Sequence, residues 1–448
     1  MQNVEWYESF RYLVENMEQS IESVRADTKM NPESGGRRIE HLEGLRGIAA
    51  CMVLFGHIKA TFWPDVEATL AAISIGVAER SSLLEFLFFI VQSFIQAASN
   101  GVCAVWIFWV MSAYVLTYKF HSESDKEKSN RILAVSSLKR YPRLAIPVSA
   151  SVLFAWALHT NGWMSNGDLA ATLGQKYYGW LGSFYLFDPD ILKAIRSAIW
   201  ETFFAYDKDT SYNCVLWTIS GELYGSLFLF GYLALVGKHW LRIPLYAISA
   251  GLCWTLQIYW LDAFLFGCLL CDLSVNRKTI LSYIPASIRL AFLSVHLHTG
   301  PTLLLLAAIV VEIGVVREGD RSVLVSASVL SAFVVLSSLA RHLLSRPLPV
   351  FLGRISFGLY LTHLPIICAL AFPFYILASQ HLSAGFAAVV SAVGLLIFTA
   401  LGGWVFWYFI DRPTIAITDT IMQILYAVRI GQPTGALVAR FSRRDGQL

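Results

Sequence analysis

Apolar runs of roughly 15 to 25 residues recur along almost the whole of this chain, and a helix needs about 20 such residues to cross a bilayer. Ten segments stand out: about 44–63, 101–119, 143–159, 213–236, 244–259, 260–274, 301–317, 322–342, 354–377 and 385–410. In hydrocarbon each backbone N–H must close onto a carbonyl of its own segment, so runs of this kind fold as helices. With 56% hydrophobic and 15% charged residues, the 448-residue chain carries more apolar surface than a soluble core hides. The expected fold class is therefore all-α, a polytopic membrane helical bundle of about ten transmembrane helices. The fifth and sixth segments are short and read equally well as one long, bent element. Segment 82–98 is also apolar, but Ser99, Asn100 and Gly101 follow it at once, and it is expected to be a re-entrant or interfacial helix.

Charge placement orients the bundle. With the N-terminus inside, 26 of the 34 Lys and Arg residues fall on the cytoplasmic side, as the positive-inside rule requires. The loop between the second and third spans dominates, with Lys119, Lys126, Lys128, Arg131, Lys139, Arg140 and Arg143. The long outer loop, about 160–212, is acidic instead, with Asp168, Asp188, Asp190, Glu201, Asp207 and Asp209. Both termini are thus expected in the cytoplasm, and the plasma membrane and an internal membrane fit equally.

Residues 1–38 are expected to form a cytoplasmic segment whose Trp6, Phe10, Leu13, Met17 and Ile21 recur at helical spacing. Residues 39–415 form the membrane domain and 416–448 a basic cytoplasmic tail. A net charge of +3 gives no reason to expect nucleic acid as a partner. The seven cysteines, all in or beside apolar segments, lack paired metal-ligand spacing, and no metal is expected. Oligomeric state is not legible.

Ionisable groups at membrane depth are costly, so each is a functional candidate. In the first span Arg46 and His57 are eleven residues apart, about three turns plus 20°, which places both on one helix face about 16 Å apart. His363 lies about 14 Å from the cytoplasmic end of its helix, and Glu222 about 14 Å below the outer face. Ser112 and Tyr114 fall about 16–20 Å below that face. All are deep enough to share one polar layer. Ser112 and Ser356 read as helix-packing residues, and Tyr360 and the tryptophans as interface or packing groups. Arg140 and Arg143 read equally as topology-setting charges and as an anion site.

Several ordered motifs carry a resemblance. Leu42-Glu43-Gly44-Leu45-Arg46-Gly47-Ile48-Ala49-Ala50, then His57, resembles the opening of the acyltransferase-3 family. Phe108 to Leu116, containing Ser112 and Tyr114, is similar to its second-helix element, with Ala113 for the usual glycine. Arg140-Tyr141-Pro142-Arg143-Leu144 resembles its basic patch. Leu216-Trp217-Thr218-Ile219-Ser220-Gly221-Glu222 resembles its Leu-Trp-Ser-Glu element. Leu352-Gly353-Arg354-Ile355-Ser356, with Tyr360 and His363, is similar to the ninth-helix element, and Asp411-Arg412-Pro413 stands near the family's Glu-x-Pro. The resemblance covers about residues 38–415, and the long outer loop suggests the fungal branch.

The resemblance implies transfer of an acyl group, most often acetyl from acyl-CoA, to an acceptor hydroxyl. It makes His57 the general base and Glu222 its acid partner, with Arg46, Arg140 and Arg143 as phosphate-binding candidates for CoA. Trp217, Ser220, Ser356, Tyr360 and His363 are further site candidates. Secondary metabolites, sugars and lipids all fit as acceptor. The competing expectation is a proton-coupled transporter using His57, Glu222 and His363 as a relay, although no inverted repeat supports it. A non-catalytic lipid sensor leaves the aligned Arg46 and His57 without a task.

Overall fold

The computed structural model describes residues 39–66, 68–70, 73, 82–174, 177, 180–277 and 320–429. The expected N-terminal amphipathic helix, the span at 301–317 and the end of the basic tail lie outside the described residues. Among the described residues every regular element is helical. These are α1 (Glu40–Phe62), α2 (Ser82–Ala98), α3 (Gly101–Ser122), α4 (Lys126–Thr160), α5 (Asn166–Leu173) and α6 (Ile191–Arg196). They continue as α7 (Trp217–Val236), α8 (Arg242–Thr255), α9 (Tyr259–Val275), α10 (Asp320–Leu336), α11 (Ser338–Leu344), α12 (Pro347–Ser379), α13 (Ala384–Phe406) and α14 (Arg412–Arg429).

Six of the described helices are long and apolar enough to cross a membrane, rather than the nine expected within these residues. They are α1, α3, α4, α7 with the turn from Cys214, α12, and α13 continued to Met422. The eighth expected span is broken. Helices α10 and α11 meet at 91°, and the Ser337 side chain accepts from the Ala340 N–H at 3.3 Å and starts the second helix as its N-cap. The fifth and sixth are two helices of 14 and 17 residues, not one bent rod. At 1.5 Å per residue these reach only about 21 and 26 Å, short of a core about 30 Å thick. Segment 82–98 is helical, and it ends at Ser99 and at Asn100, whose side chain caps α3 by accepting from the Cys103 N–H at 2.8 Å. At the far end a π turn, Trp407–Asp411, leads α13 into α14 and carries the chain past Pro413, so residues 412–429 are helical. Lys139 Nζ holds Asp419 Oδ1 at 2.7 Å and ties α14 to α4.

One contact sets the geometry of the interior. Helices α1 and α12 approach so closely that a Cβ on Gly47 would lie 2.6 Å from the Gly353 nitrogen and 2.7 Å from the Pro349 carbonyl oxygen. A Cβ on Gly353 would lie 2.0 Å from the Glu43 carbonyl oxygen. Only glycine lets two helix backbones touch in this way. Beyond the contact, Gly47, Ala50, Leu54 and His57 follow spacings of three, four and three, as do Gly353, Ser356, Tyr360 and His363. That is the a/d pattern of a coiled-coil seam. The two seams keep one offset, 306 positions, from glycine to histidine. On its other side α12 meets α13 in the same manner, where a Cβ on Gly358 would stand 2.5 Å from the Gly403 carbonyl oxygen.

Gly353→Val should therefore force α1 and α12 apart, at a cost of about 1–3 kcal/mol for overpacking. The thermal midpoint of the detergent-solubilised protein should fall. Gly167→Ala, with nothing within 4 Å of the added carbon, should leave the midpoint unchanged.

Candidate active site

The seam delivers the histidines to each other. His57 Nδ1 and His363 Nε2 are 2.7 Å apart, with ring planes 11° from parallel. His363 is 1% exposed, and its Nδ1 lies 2.8 Å from the Tyr360 carbonyl oxygen and 3.0 Å from that of Leu359. Carbonyl oxygens only accept, so His363 Nδ1 carries the hydrogen, and in the neutral ring its Nε2 is a bare acceptor. His57 Nδ1–H must then donate to it, which leaves His57 Nε2 with a free lone pair. The tautomers of both rings follow from two backbone carbonyls.

His57 forms part of the wall of a cavity of about 480 Å³. Val53, Gly56, Lys59 and Ala60 of α1 line it, as do Ser99 and the start of α3 at Gly101, Val102 and Val105. Val215, Trp217 and Tyr360 close another side. Gly56 permits the approach of α3, since a Cβ there would stand 2.6 Å from the Ser99 carbonyl oxygen. The Tyr360 hydroxyl donates to the Val215 carbonyl at 2.7 Å and accepts from Thr218 Oγ1 at 2.8 Å, joining α12 to the start of α7.

The described residues of the loop expected at 160–212 form a cap over this cavity, to which they contribute Trp180, Phe184, Tyr206 and Lys208. Trp180 packs beside His57 with centroids 5.3 Å apart. Buried Asn166 holds the cap's turn, donating to Leu181 O at 2.8 Å and Phe184 O at 3.1 Å. Asn213, fully buried, donates to Ser151 Oγ and Leu361 O, each at 2.8 Å. Tyr185 beside Phe184 has φ +60, a costly conformation for an aromatic residue. Its hydroxyl donates to the Tyr212 carbonyl at 2.9 Å. The cap residues carry no feature in the linear sequence beyond aromatic density, so the loop's role in the site was not readable there.

A second polar cluster joins α3, α4 and α7. The Glu222 carboxylate is engaged by Arg140 and by Ser112, and Arg140 donates further to Ser226 Oγ at 2.8 Å and Ser112 Oγ at 3.1 Å. Glu222, expected as the acid partner of His57, is bonded to Arg140, and the His57 nitrogen it would have engaged is bonded to His363. Arg140, expected at a phosphate, is 8% exposed and spends its guanidinium on these groups. Ser226 had no motif to announce it. Of the remaining candidates, Ser356 Oγ donates to Gly353 O at 2.7 Å and Ser220 Oγ to Trp217 O at 3.2 Å. The Tyr114 hydroxyl pairs with Ser274 Oγ at 2.6 Å on α9. Arg46 is half-buried, 3.7 Å from Glu43 Oε1, and exposed Arg143 is within electrostatic reach of Arg46, Arg140 and Asp411.

Fold and site together define an integral membrane protein that carries its polar chemistry inside a helical bundle. A family model described as an acyltransferase domain matches residues 39–410, and the chain belongs to this family, the acyltransferase-3 family. It is a membrane acyltransferase. No curated protein and no solved structure matches the chain.

Removing one member of a buried ion pair leaves the other charge unpaired, at about 3–5 kcal/mol. Arg140→Ala should accordingly cost most of the folded yield in membranes. Arg140→Met with Glu222→Met should recover much of it, measured as monodisperse protein after detergent extraction.

Proposed function

We propose that the chain is an acyl-CoA-dependent O-acyltransferase, with acetyl-CoA as the foremost donor and a small-molecule, lipid or carbohydrate hydroxyl as acceptor. The observation that carries this reading is the His57–His363 pair, which leaves an unprotonated imidazole nitrogen on a residue lining a cavity. A neutral imidazole is the base suited to a hydroxyl near pH 7. His57 Nε2 takes the acceptor proton as the oxygen attacks the thioester carbonyl. The tetrahedral intermediate then collapses with cleavage of the C–S bond, and the CoA sulfur takes the proton from the imidazolium. His363, accepting the hydrogen bond from His57 Nδ1–H, fixes the ring's orientation and stabilises its charged form.

The charge pattern supports a cytoplasmic location for both termini and an outer-face location for the cavity mouth. CoA phosphates presented from the cytoplasm would meet Arg46 and Arg143, which are more accessible than Arg140. Glu222 and Arg140 would then act as a brace within the bundle. This brace weakens the transporter reading, since a His–Glu relay needs Glu222 free to take a proton from the histidines. The long capped loop and the added helix α2 support a place in the fungal branch.

Purified full-length protein in nanodiscs, supplied with acetyl-CoA and pooled candidate acceptors, provides the test. Wild type should release CoA in an acceptor-dependent manner, and His57→Ala should lower the rate about 10²–10⁴-fold, the usual worth of a general base. Acetyl-CoA binding should persist in that variant. Full turnover by His57→Ala would overturn the mechanism. His363→Ala should lower kcat and leave the KM for acetyl-CoA unchanged, and His363→Asn, whose carboxamide oxygen also accepts a hydrogen bond, should restore part of the rate. Arg46→Ala and Arg143→Ala should instead raise the KM for acetyl-CoA with little change in kcat.

A further inference from the structure

The cavity wall narrows the acceptor, an inference that rests on the acyltransfer reading above. Its body is apolar and aromatic: Val53, Val102, Val105, Trp180, Phe184 and Trp217. Among the described lining residues there is no carboxylate and no carboxamide, and the charged groups are two cations, Lys59 and Lys208. The hydroxyls are already committed to the protein's own carbonyls. Ser99 donates to Ile95 O at 2.7 Å, Tyr206 to Cys214 O at 2.8 Å and Tyr360 to Val215 O at 2.7 Å. A sugar presents several hydroxyls around its ring, and each one buried without a partner weakens binding by roughly tenfold. A molecule with a single hydroxyl, aimed at His57, and a rigid apolar body loses nothing here.

The mouth points to the route. Val102, at the start of α3, is 49% exposed and Trp217, at the start of α7, is 45% exposed, although both line the cavity. These apolar side chains therefore join the cavity to the outer surface of the bundle between the first turns of two membrane-crossing helices. In an integral membrane protein that surface faces the bilayer. We infer that the acceptor is a ring-bearing apolar alcohol that partitions into the membrane and enters sideways between α3 and α7, rather than a free sugar arriving through water. Trp180 stands beside the His57 ring and supplies the flat face against which the acceptor's ring packs near the base.

The test uses full-length protein in nanodiscs with acetyl-CoA and three probes: 2-naphthaleneethanol, a 3-hydroxysteroid and methyl glucoside. Binding of 2-naphthaleneethanol is read by energy transfer from tryptophan, and transfer by CoA release. The two ring alcohols should be acetylated with kcat/KM at least about 100-fold above methyl glucoside, as expected for more than one unmet sugar hydroxyl. Val102→Asp puts a carboxylate in the mouth, at a helix N-terminus where it is tolerated. It should raise the KM for 2-naphthaleneethanol at least about tenfold and leave the KM for acetyl-CoA unchanged. Acetylation of methyl glucoside equal to or better than that of the ring alcohols would overturn the inference and leave acyl transfer standing. So would an unchanged KM in Val102→Asp. Saturable binding of 2-naphthaleneethanol, weakened by Val102→Asp but with no CoA released for any probe, would uphold the ligand class and overturn acyl transfer by this site.

Discussion

The site depends on a backbone contact made ten residues away from it. Where Gly47 meets Gly353, neither helix has a side chain to hold the other off, so α1 and α12 come together at a fixed register. From there both seams run through the same spacing to a histidine. The histidines meet because the helices are parallel and in step, and a larger residue at either glycine would disturb that step before it disturbed anything near the cavity. The hydrogen bond between the rings then carries the register into chemistry. Two carbonyl oxygens of α12 fix the proton on His363, and His363 fixes the proton on His57.

Two sets of ionisable groups within the bundle have different tasks. Glu222, Arg140, Ser112 and Ser226 satisfy one another and join α3, α4 and α7. A buried pair of this kind contributes little net stability against an apolar core, but it is costly to break, so it specifies which helix faces meet. The histidine pair is uncharged in its neutral form and carries no such desolvation penalty. It can therefore stand at the edge of an apolar cavity with one nitrogen open. Of these two sets, the brace holds the charge, and the group proposed to exchange a proton is kept neutral.

Much of this was legible in the sequence because hydrocarbon imposes a simple rule on long apolar runs. The helical class and five of the expected spans, at 44–63, 101–119, 143–159, 213–236 and 354–377, follow from run length, and the structure has a helix long and apolar enough to cross a membrane over each. The last, at 385–410, is longer than expected, because a π turn carries the helix past Pro413. The break at Ser337 was hidden, since a serine in an apolar run reads as ordinary until its side chain caps a second helix. His57 and His363 were both candidates by depth, but depth does not give azimuth, and their partnership rests on a shared seam. That seam was available as a pair of glycines, each ten residues ahead of a histidine. The pairing of Glu222 with Arg140 had no such signal, because the two lie 82 positions apart on helices whose mutual rotation no spacing defines. The cap was opaque for the same reason: Asn166 acts through backbone carbonyls that carry no sequence identity, and Asn213 through one such carbonyl and the Ser151 hydroxyl, 62 positions away.

The most direct test of the central claim is the protonation pattern of the two rings, read by solid-state NMR on ¹⁵N-histidine-labelled protein in lipid at neutral pH, with His57→Ala and His363→Ala as assignments. The hydrogen-bond chain requires both rings to carry their hydrogen on Nδ1 with Nε2 bare, the less common tautomer of free histidine in water. It also requires the His57 ring to lose that preference when His363 is removed. A His57 ring protonated on Nε2 in the wild type would contradict the account, since the nitrogen proposed as the base would then hold a hydrogen and have no lone pair for the acceptor.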